Sequence, residues 1–338
     1  MSVSIGRLGT RARVLIALGP VGLSILIAVL YLQVAISPSS TAQPFTDATT
    51  YQAAGERLNA GEAIYALQPG DRQVVILPWI SNAPLLSPPL IAVLWRPIAA
   101  LPFGYALWIA ACWVALLGTT FALVFRTGLL GAILAAILAP AIGEQLAEGN
   151  VAAFFPLLMA LAWKLRDRPL AGSIVGLLAS LKLTPGTLVG WLVGSRRWSA
   201  VAGMIISVGV MVVVSLVGSS LAAFGDYLHV AATARPSIAS LSGLTGISWL
   251  SPGVLVAGTL AAIGLGRWPR AAFVVGVTTS VLGTPALYLS GWVTILAVLA
   301  PFAASADDSA LVTSGGAHHA TGPSAAASAS DAASRASS

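Results

Sequence analysis

Long apolar runs recur along this chain from residue 14 to residue 302, and in its first half residues 37–88 are the only long polar interruption. A helix needs about 20 apolar residues to cross a hydrocarbon layer roughly 30 Å thick, and in lipid only helices or closed barrels satisfy every backbone group. The pattern therefore restricts the chain to a helical membrane architecture. Hydrophobic residues make up 57% of the 338 and charged residues only 8%, a balance outside that of soluble domains. The net charge of +6 would point to nucleic acid in a soluble domain. Here the bases sit in short clusters between apolar runs, as topology signals do, so no nucleic-acid partner is expected. The single cysteine, Cys112, rules out a disulfide framework within the chain.

The runs fall at about 14–36, 103–125, 128–147, 150–165, 169–183, 186–195, 198–221, 251–266, 270–283 and 285–302. They predict an all-α polytopic protein of about ten transmembrane helices. Several runs are short, and Pro140, Pro185 and Pro285 mark expected helix breaks.

If these runs alternate across the bilayer, Arg7, Arg11, Arg13, Arg126, Lys164, Arg166, Arg168, Arg196, Arg197, Arg267 and Arg270 share one side, which the positive-inside rule makes cytoplasmic. Most of the acids then fall outside: Asp47, Glu56, Glu62, Asp71, Glu144, Glu148 and Asp226. Chemistry is accordingly expected on the outer face. Residues 1–13 read as a cytoplasmic N-terminus. The first run lacks a small-residue cleavage site and reads as an uncleaved span. Residues 304–338, rich in Ala and Ser and without period, read as a disordered cytoplasmic tail. His318 and His319 in that tail are expected to be solvated.

The run from Leu85 to Leu101 would invert every later loop if it crossed the membrane. Its Pro88-Pro89 start and Arg96-Pro97 interruption instead suit a helix lying along the outer interface, within one external loop of about 37–102. A second external loop is expected at about 222–250, holding Asp226, Tyr227, His229 and Arg235. Trp79, Trp95 and Trp249 read as interface-belt aromatics. In the first loop, Asp47 opens a short helical stretch that ends at Gly61, and Tyr51 falls on the same face four residues on.

These residues carry a resemblance. The acid-led helix with Gly61-x3-Tyr65, then Ser87-Pro88-Pro89-Leu90 and Arg96-Pro97 through Pro102-Phe103, resembles the first external loop of polyprenol-phosphate-mannose-dependent α-1,2-mannosyltransferases, glycosyltransferase family 87. Further on, Glu148-Gly149-Asn150 stands where the family tends to have Gly-Gln-x-Asn, and Ala171-Gly172 through Gly176 to Lys182-x-Thr184-Pro185 is similar to its Gly-rich helix. Arg196-Arg197-Trp198 and Thr284-Pro285-x-x-Tyr288 follow in order. The resemblance implies a GT-C fold, a lipid-linked mannosyl donor in β linkage, an α-linked product, and a site in the membrane of the cell envelope.

The chemistry such a donor needs assigns the candidates. A phosphate leaving group is already a stable anion, so one carboxylate, Asp47, suffices as base toward an acceptor hydroxyl. Lys182, one of two lysines, sits in a membrane run, where an ionisable group is a functional candidate, and suits a phosphate; snorkelling to the headgroups is its other reading. Arg96 is a second donor-phosphate candidate or a headgroup anchor. Tyr51, Glu148, Asn150, Thr184, Tyr288 and His229 are candidates for sugar or acceptor contacts. No nucleotide loop, Asp-x-Asp sequence in the external segments or Cys/His cluster is present, so no cofactor and no structural metal is expected, and a divalent ion on scattered carboxylates stays open. A different class stays open, a transporter or lipid flippase, as does an inactive relative of the transferases.

Overall fold

The computed structural model describes residues 9–37, 44–69, 71, 75–76, 79–80 and 83–303. In chain order the helices are α1 (Thr10–Ala35), α2 (Thr46–Ala60), α3 (Pro89–Ala99), α4 (Gly104–Thr127), α5 (Leu129–Ile137), α6 (Ala139–Glu148), α7 (Phe155–Lys164), α8 (Pro169–Leu181), α9 (Leu188–Gly194), α10 (Trp198–Gly218), α11 (Leu221–Thr233), α12 (Leu241–Thr245), α13 (Leu250–Gly264) and α14 (Pro269–Leu282). Short 3-10 segments lie at Val151–Phe154, Thr184–Thr187 and Leu289–Leu299. Between α2 and α3, the two-residue strands β1 (Val75–Ile76) and β2 (Trp79–Ile80) pair antiparallel.

Among the described residues three helices, α1, α4 and α10, are long and apolar enough to cross a membrane. A fourth span results if α5 and α6, bent by 58° at their junction, count as one. Pro140 in the first turn of α6 explains the bend, because it cannot donate to the preceding turn. The remaining apolar runs form shorter helices, including Val151–Lys164, Pro169–Leu181 and Pro269–Leu282. Thirteen residues rise only about 20 Å, so α8 by itself is shorter than a straight span.

Glycines set the closest helix contact. A Cβ at Gly172 would lie 1.6 Å from the Ala200 carbonyl oxygen, and one at Gly203 would lie 2.3 Å from that of Pro169. Helices α8 and α10 therefore touch backbone to backbone, as small residues permit in membranes.

The described part of the segment between α1 and α4 packs onto the bundle. Helix α3 buries Leu90, Ile91, Ala92 and Trp95, and with 11 residues it rises about 16 Å, too little to cross. Trp95 is fully buried with its ring 5.0 Å from Trp108, which corrects its reading as a belt aromatic: α3 presents it to α2 and α4, not to lipid. Trp249 is 68% exposed, and the Trp79 side chain lies outside the described residues. Arg57 ties the loop down by donating to the Ala66 carbonyl and pairing with Asp71. The Tyr65 hydroxyl donates to the Ser87 carbonyl at 2.7 Å.

The bundle has two chemically different ends. At one, Arg197 pairs with Asp167 and Gly266 lies against Gly194, so three of the basic turns meet. Helices α7, α8 and α14, and the Thr184–Thr187 turn leading into α9, each have their other end at a single cavity.

Candidate active site

The cavity has a volume of about 540 Å³, within the range typical of small-molecule sites. It is walled by the start of α2, the segment Pro84–Ser87, the end of α6, the end of α8, the end of α14 and the start of the Leu289–Leu299 segment. Segment ends leave backbone groups unpaired and admit polar side chains, which explains why a polar site forms here among apolar helices.

Asp47 lies in the first turn of α2. The residue that launches this helix, Phe45, adopts a left-handed backbone (φ 54°), and its N–H donates to the Ala147 carbonyl at 2.7 Å. A left-handed phenylalanine is costly unless neighbours hold it, and this docking to the end of α6 does so. Asn150 donates its side-chain amide to Asp47 Oδ2. Between them Gly149 is left-handed (φ 65°), and a Cβ there would lie 2.9 Å from that of Ala48, so only glycine lets α2 approach. Burial pushes the Asp47 carboxyl above its ordinary range, while the Asn150 amide and the Lys182 ammonium pull it back. Tyr51, one turn on, is buried and lines the same cavity. It rests on Trp95 and Trp108, at 6.2 and 6.4 Å between ring centroids.

Lys182 follows the last residue of α8 in an extended conformation. The helix stops where Pro185 comes four residues after Leu181: it has no N–H to give the Leu181 carbonyl, and its ring crowds that carbonyl. Lys182 and Thr184 both line the cavity. So do Glu148 and Asn150, after which the chain turns into the Val151–Phe154 segment, and Tyr288, which caps the start of Leu289–Leu299. The Ser290 hydroxyl acts electrostatically on the Glu148 carboxylate and its backbone N–H on Glu144, one turn earlier on α6. Among the described residues no group of three or more His, Cys, Asp and Glu is placed to hold a metal ion.

Of the site residues expected from sequence, Asp47, Tyr51, Glu148, Asn150, Lys182, Thr184 and Tyr288 thus line one cavity, whereas Arg96 and His229 do not. The Arg96 guanidinium bonds the Asn59 side-chain oxygen at 3.1 Å and the Gly218 carbonyl at 3.0 Å, joining α3 to α2 and α10. His229 is exposed on α11. Sequence reasoning missed Gln145, Ser280, Thr284, Ser290 and Thr294, which also line the cavity. Only Thr284 carried a signal, a Thr-Pro step matching that at Thr184.

The family model for glycosyltransferase family 87 matches residues 86–317, more than half of the chain. The chain belongs to glycosyltransferase family 87. Neither the curated proteins nor the solved structures that were searched contain a match. In this family 87 glycosyltransferase the matched segment supplies Ser87, Glu148, Asn150, Lys182, Thr184 and Tyr288 to the cavity. Asp47 and Tyr51 lie before it, so their place rests on geometry. An acid, an ammonium and a hydroxyl-rich wall share this one cavity.

Proposed function

We propose that this glycosyltransferase moves mannose from a polyprenyl-phosphate-mannose donor to a glycolipid or glycan acceptor at the outer face of the plasma membrane, with inversion at the anomeric carbon. The observation that carries this reading is that Asp47 and Lys182, 135 residues apart by their numbers, line the same cavity. In the reaction the acceptor oxygen bonds to the anomeric carbon and gives its proton to Asp47, while the bond from that carbon to the phosphate oxygen breaks on the opposite face. Lys182 offsets the charge that develops on the departing phosphate. No second acid is needed, and no cofactor or metal enters.

The fold we assign is a GT-C-like bundle of about ten spans with a large first external loop. Its support is the alternation of α7, α8, α9 and α14 between the basic turns and the cavity. By the positive-inside rule the basic end is cytoplasmic, together with both termini, and the cavity opens outside. Apolar cavity residues such as Leu85, Leu86 and Leu287 suit the first isoprene units of the lipid.

The test uses membranes containing the full chain, β-linked polyprenyl-phosphate-[¹³C]mannose and octyl α-mannoside or a native glycolipid extract. An α-linked mannosyl product, identified by its anomeric carbon–proton coupling, is the expected result. A β-linked product contradicts inversion, and labelling only from a sugar nucleotide contradicts the donor.

A further inference from the structure

The Asn150 side chain is used at both ends. Its Oδ1 accepts the Ala152 N–H at 2.7 Å, capping the Val151–Phe154 turn, and this fixes which way the amide faces, so that Nδ2 is the atom donating to Asp47. The backbone around it is held as firmly. Gln145 Nε2 donates to the Asn150 carbonyl at 2.8 Å, and Trp108 Nε1 donates to the Gly149 carbonyl at 2.8 Å. Gln145 is fully buried.

From this geometry we infer that Asn150 is a positioning residue for Asp47: its fixed amide occupies Oδ2, orients the carboxylate, and leaves Oδ1 as the oxygen that takes the acceptor's proton. The inference rests on the reading of Asp47 as base and deepens it. It also gives Asn150 a part in the site other than contact with a sugar. The charged and titratable groups interacting with Asp47 are Tyr51 from its own helix, Glu144 and Glu148 from α6, Lys182 from the end of α8, and Tyr288 ahead of the Leu289–Leu299 segment. Four of these are either neutral or negative, and Lys182 makes no ion pair with Asp47 within 4.0 Å among the described residues. The Asn150 amide is therefore the only direct donor to the carboxylate among the described hydrogen bonds, and its loss is not made up by a neighbour.

Asn150→Ser separates positioning from folding. Serine is a good cap and can keep the Ala152 contact, but it is too short to reach Asp47. The Asp47 carboxyl is titrated by infrared difference spectroscopy on purified full-length protein in lipid nanodiscs, its band assigned by its loss in Asp47→Asn. In Asn150→Ser it is expected to titrate about one pH unit higher than in wild type, the effect of losing one hydrogen bond to a charged group. In Asn150→Asp, which also caps but adds a like charge, it is expected higher still. The acid limb of transfer from polyprenyl-phosphate-mannose to octyl α-mannoside should move with it, with kcat falling at neutral pH and KM little changed. Should Asn150→Ser fail to fold, Asn150→Thr, which also caps, adds no charge and is too short to reach Asp47, gives the same reading. An Asp47 titration that does not move in the folded variant overturns the inference whatever happens to activity. Wild-type transfer by Asp47→Asn overturns instead the role of Asp47 as base, so the two failures are distinguishable.

Discussion

The Thr284 hydroxyl lies 3.3 Å from the Thr184 hydroxyl and hydrogen-bonds to it, joining two Thr-Pro steps 100 residues apart. Each step follows the end of an apolar helix, α8 at Leu181 and α14 at Leu282, because a proline four residues after Leu181 or Val281 has no N–H for that carbonyl and its ring crowds it. The two breaks therefore meet at one depth and open the space into which Lys182 and Tyr288 project. The Thr284 proton goes to the Ser280 carbonyl at 2.7 Å, so in the contact between the two hydroxyls Thr184 is the donor.

Thr284→Val keeps the shape and removes the shared bond. It is expected to cost about 1 kcal/mol, the worth of one hydrogen bond, and to lower the melting temperature in detergent modestly while the chain still folds. Thr184→Val should show a similar loss, and the double variant less than the sum of the two. Additive losses would mean that the hydroxyls do not interact.

Lys182→Met removes the one cation that lines the cavity among the described residues. Loss of a donor aimed at developing charge costs about 10²–10³ in kcat, and Lys182→Arg should recover part of it. A rise in donor KM with unchanged kcat would instead mark Lys182 as a ground-state ligand.

Much of this site was legible in the residues. Asp47 and Tyr51 sit one helical turn apart, and Lys182 and Thr184 flank a proline that had to break an apolar run. The fold's helical membrane class followed from the same runs. Arg96 was less legible, because a base near the end of an apolar helix looks alike whether it faces headgroups or, as here, the Gly218 carbonyl. Trp95 looks like a belt residue in the sequence, but α2 covers it, a contact that Gly55 permits because a Cβ there would lie 2.9 Å from the Trp95 carbonyl. Ser290 and Gln145 were hidden because a lone polar residue in an apolar run has no spacing to betray it. Only packing brings it to the cavity. The ten runs counted by hydropathy include several whose helices are interrupted by 3-10 turns, which hydropathy does not see.

Gly149→Ala tests the docking of α2. Alanine at φ 65° with its Cβ against Ala48 and Ile109 is expected to cost about 1–3 kcal/mol and to lower transfer together with stability. Unchanged melting would show that α2 is not seated on Gly149. His229→Ala, by contrast, should leave transfer within about 2-fold of wild type, as surface substitutions away from a site usually do. A large loss would place α11 over the cavity in the working enzyme.

Burial raises the Asp47 pKa in the fold, which fixes the sign of two pH effects. A base must be deprotonated, so transfer should fall as pH drops through the raised value, giving an acid limb above the ordinary aspartate range. For stability the direction is opposite. The fold binds this proton more tightly than the unfolded chain, so the contribution of Asp47 is most favourable at low pH and is lost as pH rises through the folded value. Asp47→Asn should accordingly be at least as stable as wild type near neutrality, as judged by its melting in detergent.

The same variant provides the most direct measurement of the whole account: mannosyl transfer from polyprenyl-phosphate-mannose in membranes holding equal amounts of wild type and Asp47→Asn. Loss of a positioned base removes about 10²–10⁴-fold, so the variant is predicted to be folded, as stable as wild type, and nearly inactive. Transfer by Asp47→Asn at the wild-type rate would contradict the account.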